Sequence, residues 1–396
     1  MVVPVRGARL VFGKASSMKI ALATSSYAPH VGGVEEHVRN VATVLHRRGH
    51  DVAVWTIDRD GSFAVDVLDG IPVWRLPAPL PSRSVRDIAR FVRAAPGAWR
   101  VWNRAFDTLR PDLIHVHCFG PNGTFANALA ARRRTPLVVT SHGETLADDA
   151  GVFEHSQLAR TSLRSAIRRA AAVTGCSSVA LSDLEEHFGL PRGDGTVVFN
   201  GIDLEEHATQ APRPITGISG RYVAAVGRLQ QVKGFDLLVR AFARARLGPE
   251  VSLVIGGDGP ESAVLSELAV DLGIADRVVL PGRLDRAQVA GLMRDAAIVA
   301  VPSRFEAFGI ATLEAWRAGT PVVATTRGGP REFVTHGVDG LLCDPTDTEV
   351  FAATLADVLA DPVHAASLAE SGRRRVDAFT WEHTTHAYEA LYSAIC

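Results

Sequence analysis

Two glutamates, Glu306 and Glu314, stand eight positions apart in the segment Arg304–Ala315, RFEAFGIATLEA. The first follows the apolar run Ala297–Val301 and the strand-ending Pro302, and the second lies inside the helical pattern Ile310–Ala318. A carboxylate at the carboxyl end of a parallel strand can hold ligand hydroxyls, and the first turn of the next helix offers free backbone N–H groups to phosphate. The spacing therefore suits a sugar-nucleotide cradle. Upstream, Arg228 and Lys233 in Val226–Gly234 (VGRLQQVKG) lie just past another strand end. Two fixed cations there can neutralise a diphosphate leaving group, although a solvated basic turn has the same composition.

The remaining candidates are weaker one by one. Ile255–Pro260 (IGGDGP) is a Gly-rich turn containing Gly257 but lacks the third glycine of a dinucleotide fingerprint, which argues against hydride transfer. Gly32 and Gly33 open a helix expected from about Val34 to Arg48, as suits close approach to a ligand or a connector at positive φ. His117 and His142 each fall at or just beyond a strand end. Either alone reads as a structural histidine; their common position makes them site candidates. Asp58-Arg59-Asp60 has the spacing of a metal-binding Asp-x-Asp but runs into Gly61, so it reads as a solvated turn.

These residues need strands that end on one side of a sheet. From Ile20 onward, short apolar runs alternate with segments of helical period, the pattern of parallel βαβ units. The alternation lapses at Gln210–Gly217 (QAPRPITG) and restarts at Tyr222. The expected organisation is an extension over 1–17, an amino-terminal α/β domain over 18–209 and a linker over 210–220. A second α/β domain over 221–378 is followed by a final segment over 379–396, whose helix could pack on either domain. The length of 396 residues fits two or three domains at roughly 100–200 residues each.

Composition narrows the classes. With 42 Lys+Arg against 43 Asp+Glu, no global charge favours nucleic acid as a partner. Four scattered cysteines show neither metal-ligand spacing nor a disulfide framework, which suits a reducing cytoplasm. No segment approaches the roughly 20 apolar residues of a membrane span, and the start carries no apolar run of signal length.

In order and spacing, Gly32-Gly33, His117, Ser141-His142-Gly143, Asn200–Asp203, Gly227-Arg228 with Lys233-Gly234, Gly257–Pro260, Glu306 with Glu314, and Gly328-Gly329 with Glu332 resemble glycosyltransferase family 4. The likeness runs from about Lys19 to Trp381. It implies a GT-B architecture, two Rossmann-like domains facing across a cleft, and a retaining, metal-independent transfer from a nucleotide-diphosphate sugar, UDP or GDP by preference. By the same likeness Arg228 and Lys233 bind the diphosphate, together with the amides of Ile310 and Ala311. Glu314 binds the ribose hydroxyls, and Glu306 binds the sugar with backbone near Phe308 and Gly309. Gly32, Gly33 and Gly257 join the donor site, while Gly33, His117 and His142 face the acceptor, His142 near the reacting centre. Where the family commonly has other residues, Ala307 replaces glycine and Phe199 replaces proline, which implies a more restricted loop and a less rigid entry to the linker.

The expected acceptor is a small soluble molecule such as a sugar, a cyclitol or a natural-product intermediate, with a lipid-linked acceptor as the alternative. A nucleotide-sugar 2-epimerase lacks the glutamate pair, and a non-catalytic sensor would not need so complete a site. The arginine-rich stretch Ser82–Arg110, with Phe91, Trp99, Trp102 and Phe106, reads as two amphipathic helices broken at Pro96-Gly97 that cover the sheet. Its competing reading is peripheral membrane docking.

Overall fold

The computed structural model describes residues 17–30, 32–59, 61, 63–81, 84–146, 151–205, 215, 218 and 220–396. Most of the 1–17 extension, Asp60 of the Asp-x-Asp candidate and most of the 210–220 linker lie outside the described residues.

The amino-terminal strands are β1 (Lys19–Thr24), β2 (Asp51–Ile57), β3 (Val65–Leu68), β4 (Ile71–Leu76), β5 (Leu113–His117), β6 (Leu137–Ser141), β7 (Ala172–Gly175) and β8 (Gly195–Val197). They form one eight-stranded sheet in the order β3-β4-β2-β1-β5-β6-β7-β8, parallel except for the β3-β4 pair. A second sheet contains β9 (Arg221–Val226), β10 (Val251–Gly256), β11 (Val278–Val279), β12 (Ile298–Val301), β13 (Val322–Thr325) and β14 (Leu341–Cys343). Its order is β11-β10-β9-β12-β13-β14, parallel throughout. Strands covered by helices on both faces bury both sets of side chains, which is why β1, β5, β6 and β12 are apolar runs rather than alternations.

The β3-β4 hairpin is absent from the sequence reading. Its edge position leaves one face wet and its residues alternating, and Asp69-Gly70, both at positive φ, form the two-residue turn that closes it. That Asp-Gly pair between short β-rich runs was the available signal.

The arginine-rich stretch departs from expectation in two ways. Val85–Leu109 is one continuous helix capped by the Ser84 hydroxyl, with Pro96 inside it. Val92, the residue whose carbonyl the missing Pro96 N–H would have met, is exposed, so water can serve that carbonyl and the helix survives. Only the second half covers the sheet, through Ala98, Trp102, Ala105, Phe106 and Leu109; Ile88 and Val92 in the first half are 44% and 63% exposed.

The helix Trp381–Ile395 packs on the amino-terminal sheet. Its Trp381, Tyr388 and Tyr392 join Ile20, Leu22, Val41 and Leu45 in one core, and each such buried side chain contributes roughly 1.5–3 kcal/mol. Arg47 and Arg48, at the end of the helix Gly33–Arg47, pair with Glu382, and Arg48 also with Glu389. The chain crosses back where Ile202 N–H donates to the Phe379 carbonyl at 2.8 Å. A Cβ on Gly201 would collide there with the backbone of Thr380 and Trp381.

Candidate active site

Parallel strands put all their carboxyl ends on one edge, and the two sheets turn those edges toward each other across a cleft of about 910 Å³. The amino-terminal wall includes Gly32, Gly33, His142, Phe119 and Phe153, and the opposite wall Arg228, Lys233, Glu306 and Glu314.

The Glu306 loop is held from three sides. Its N–H donates to the Arg327 carbonyl at 3.0 Å, and its own carbonyl accepts from Gly329 N–H at 2.8 Å. Gly328 has φ of 129°, and a Cβ there would collide with the Glu306 carbonyl; one on Gly329 would lie 2.6 Å from the Ala307 carbonyl. The paired glycines are thus needed for close approach to this loop. On the other side Arg304 N–H donates to Val232 O at 2.8 Å, and the Arg304 guanidinium forks onto Asp236 at 2.6 and 2.7 Å. This fixes the glutamate loop against the Lys233 segment. Lys233 Nζ donates to Glu306 Oε2 at 2.8 Å, and Ser303 Oγ donates to the same oxygen at 2.8 Å.

Gly309, at φ 99°, caps the helix Ile310–Ala318, so the free N–H groups of Ile310 and Ala311 open on the cleft. Glu314 lines the same wall, partly buried one turn further on. Phe308 is buried and packs on Phe333 and Phe199, which leaves only its backbone for a ligand. Gly257 does not line the cleft. It sits against the Arg228 strand end, where a Cβ would collide with the Gly227 carbonyl.

On the facing wall the half-buried His142 reaches the cleft, and His117, expected beside it at the acceptor, lies fully buried beneath. His117 Nδ1 is 3.2 Å from His142 Nε2, so its contact with the cleft runs through His142. Glu144 sets the His142 turn by accepting from the backbone N–H groups of His142 and Phe119, each at 2.7 Å. Burial raises the Glu144 carboxyl above the usual range, and those hydrogen bonds oppose the rise. His37, from the helix that Gly33 opens, packs its ring 4.6 Å from His142 and bonds Asn200 through Nδ1 at 2.8 Å. Burial lowers His37 to about 4, with the Asn200 bond opposing. Burial also pushes His115, His117 and His142 well below the ordinary histidine range, reinforced by the neighbouring imidazoles.

The two walls touch at several points. Gly33 leaves room for Ile310 Cδ1, 3.5 Å from where its Cβ would be, and the Ala307 methyl fills the space beside Gly143. The alanine in the loop is therefore used as a contact. Phe199 likewise anchors the junction through Phe308, Phe333 and Phe379. Glu332 reaches across to accept from Ser178 N–H at 2.9 Å, capping the helix Ser178–Asp183 of the other domain. The sequence reading gave no role to His37 or Glu144. The only local hints were that Glu144 directly follows Ser141-His142-Gly143 and that His37 lies one turn past Gly33. Asp58 accepts from Phe63 N–H at 3.1 Å, as a turn residue does.

The same two-domain architecture recurs in known proteins. Residues 31–206 match the model of Glycosyltransferase Family 4, and residues 213–375 that of Glycosyl transferases group 1. The D-inositol 3-phosphate glycosyltransferase of Mycolicibacterium smegmatis is 32% identical over 91% of this chain and 86% of its own. The glycogen synthase of Mycobacterium tuberculosis is 29% identical over 95% of each chain. Among solved structures, Anabaena HepE in complex with UDP and glucose superposes with a TM-score of 0.76 at 24% identity, covering 95% of this chain and all of that one. Sucrose-phosphate synthase of Thermosynechococcus elongatus gives 0.74 at 23%, covering 95% and 98%.

Proposed function

The chain belongs to glycosyltransferase family 4, a nucleotide-sugar glycosyltransferase of GT-B fold, and from that premise we propose a retaining, metal-independent transfer from a UDP or GDP sugar to a hydroxyl of a small acceptor. The observation that carries the reading is the Lys233–Glu306 pair, set beside the amino terminus of the helix Ile310–Ala318. A cation and free amides collect where the diphosphate develops charge, and a carboxylate stands where sugar hydroxyls need an acceptor.

In this reading the bond from the anomeric carbon to the β-phosphate oxygen breaks, and its electron pair stays on that oxygen. Arg228, Lys233 and the Ile310 and Ala311 amides stabilise the charge formed. The acceptor oxygen attacks the oxocarbenium-like carbon from the same face, and its proton passes to the departing phosphate oxygen. Glu314 holds the ribose, Glu306 the sugar, and His142 lies beside the reacting face. The donor preference is supported by UDP and glucose bound in the HepE structure.

A thermal-shift panel of UDP, GDP, dTDP and ADP sugars tests the donor, because a ligand that binds only the native state raises stability by mass action. NMR of the product anomer then tests retention, and assay in EDTA tests the metal. Full loss of transfer in EDTA, or an inverted anomer, would end the reading. One observation favours the lipid-linked alternative: among the described residues Ile88 and Val92 are exposed beside Arg86, Arg90 and Arg93, on a helix beginning shortly after the cleft residue Leu80. Flotation of the protein with anionic liposomes, absent with neutral ones, decides for it. Among the described residues, no helix is long and apolar enough to cross a membrane.

A further inference from the structure

Behind the cleft lies a cluster of imidazoles that sugar transfer does not require. His37, His117 and His142 come from three elements: the first helix, the end of β5 and the turn after β6. Each offers one ring nitrogen, and the three atoms lie within 4.8 Å of one another. The closest approach, His117 Nδ1 to His142 Nε2, is 3.2 Å. Two imidazole nitrogens on one tetrahedral zinc-class ion, each at roughly 2.0–2.1 Å, are about 3.3 Å apart.

We propose that His37, His117 and His142 form a binding site for a divalent transition-metal ion of the zinc class, and that its occupancy withdraws His142 from the cleft and slows transfer. Two further observations support it. First, His117 is fully buried and its Nδ1 faces a second imidazole nitrogen, Nε2 of His142, so at least one of the two neutral rings presents a lone pair at this point. Second, His37 Nδ1 lies 2.8 Å from Asn200 Oδ1. An N–H given to a carbonyl oxygen fixes the tautomer and leaves Nε2 as the ligating lone pair, the usual support of a metal-bound histidine. That Nε2 is 3.2 Å from the Tyr388 hydroxyl, which also reaches Thr140 and Thr174 and can turn its proton to them. His115, stacked on His117 at 3.9 Å, is excluded because Tyr392 and Thr140 hold its two nitrogens, each at 2.6 Å. Nitrogen-only ligation suits zinc, copper, nickel or cobalt and disfavours magnesium, calcium and manganese.

The inhibitory half of the proposal rests on the transferase reading, whereas binding does not, so the two can fail separately. The full-length protein, stripped with chelator, is titrated with Co²⁺ and followed by visible absorption, then with Zn²⁺ in competition. The expected result is one equivalent bound with the intense bands of a four-coordinate site and displaced by Zn²⁺. His37→Gln and His117→Gln abolish the bands, and Asn200→Ala weakens binding by about tenfold. In the assay, one equivalent of Zn²⁺ slows transfer and EDTA restores it. Absence of the bands in wild type, or bands undiminished in both histidine variants, overturns the site. Should a variant lose its cooperative melt, the wild-type stoichiometry and spectrum decide alone. Binding without any effect on transfer overturns the inhibitory half only.

Discussion

Lys233 Nζ lies 2.8 Å from Oε2 of Glu306, and the two side chains are 27% and 12% exposed. A lysine held at the carboxylate of its neighbouring loop is preorganised at the cleft floor, on the wall that also carries the helix amino terminus at Ile310. In the proposed reaction the donor inserts into this pair, the phosphate taking the ammonium and the sugar hydroxyls the carboxylate. Glu306 remains hydrogen-bonded by Ser303, so its carboxylate has a partner in either state.

Breaking the pair should separate activity from stability. Lys233→Ala and Glu306→Gln are each expected to lower kcat/KM by roughly 100-fold, as does loss of one charge-stabilising donor. The melting temperature should move by only a few degrees, because a partly exposed pair adds little stability. Steady-state kinetics with calorimetry on the same preparations checks both, and near-wild-type kcat/KM in both variants would refute the assignment.

Glycine 328 is expected to be intolerant. Gly328→Ala combines φ of 129° with a collision at the Glu306 carbonyl, and strain of this kind costs roughly 1–3 kcal/mol before the loop moves. Turnover should fall with stability, since the displaced residue is Glu306 itself. Gly273→Ala, at φ of 68° with nothing within 4 Å of its Cβ, is the control, expected to cost about 1 kcal/mol and leave kinetics unchanged. Chemical denaturation of the pair measures the contrast.

Acid should destabilise the protein through its buried imidazoles. His37 is lowered from 6.5 to about 4, and His115, His117 and His142 are lowered too. Below pH 6.5 the unfolded chain takes up protons that the native state refuses, so stability falls as pH drops from 6.5 toward 4 and is flat with respect to these groups above 6.5. His37 alone accounts for about 3 kcal/mol across that window. Denaturant midpoints between pH 4 and 8 give the slope, and His37→Gln should make it shallower. An unchanged slope in that variant would contradict the burial argument.

Glu332 should matter to the junction more than to chemistry. Glu332→Ala removes the acceptor for the Ser178 and Val179 N–H groups, a loss of about 0.5–2 kcal/mol for a helix cap. Susceptibility to limited proteolysis is expected to rise, while the KM for donor stays within about twofold, a change of roughly 0.4 kcal/mol. A large rise in KM with unchanged proteolysis would instead place Glu332 at the donor.

The sequence by itself determined the alternation of elements and the wall that carries Arg228, Lys233, Glu306 and Glu314. Parallel strands buried on both faces must be written as apolar runs, and residues just past them must lie on one edge. The β3-β4 hairpin escaped because an edge strand keeps only every second residue buried, and Pro96 misled because its cost depends on whether the orphaned carbonyl meets water or protein. Only the tertiary structure decided what lies behind His142. His37 meets Tyr388 across 351 positions, and His115 meets Tyr392 across 277. Such contacts leave no local period, because they depend on where the last helix docks. The same holds for Ala307 beside Gly143 and for Phe199 among the aromatic rings at the junction. Each looked like a departure from pattern along the chain, and each is a contact that closes the cleft, because shape complementarity is a property of the folded surfaces.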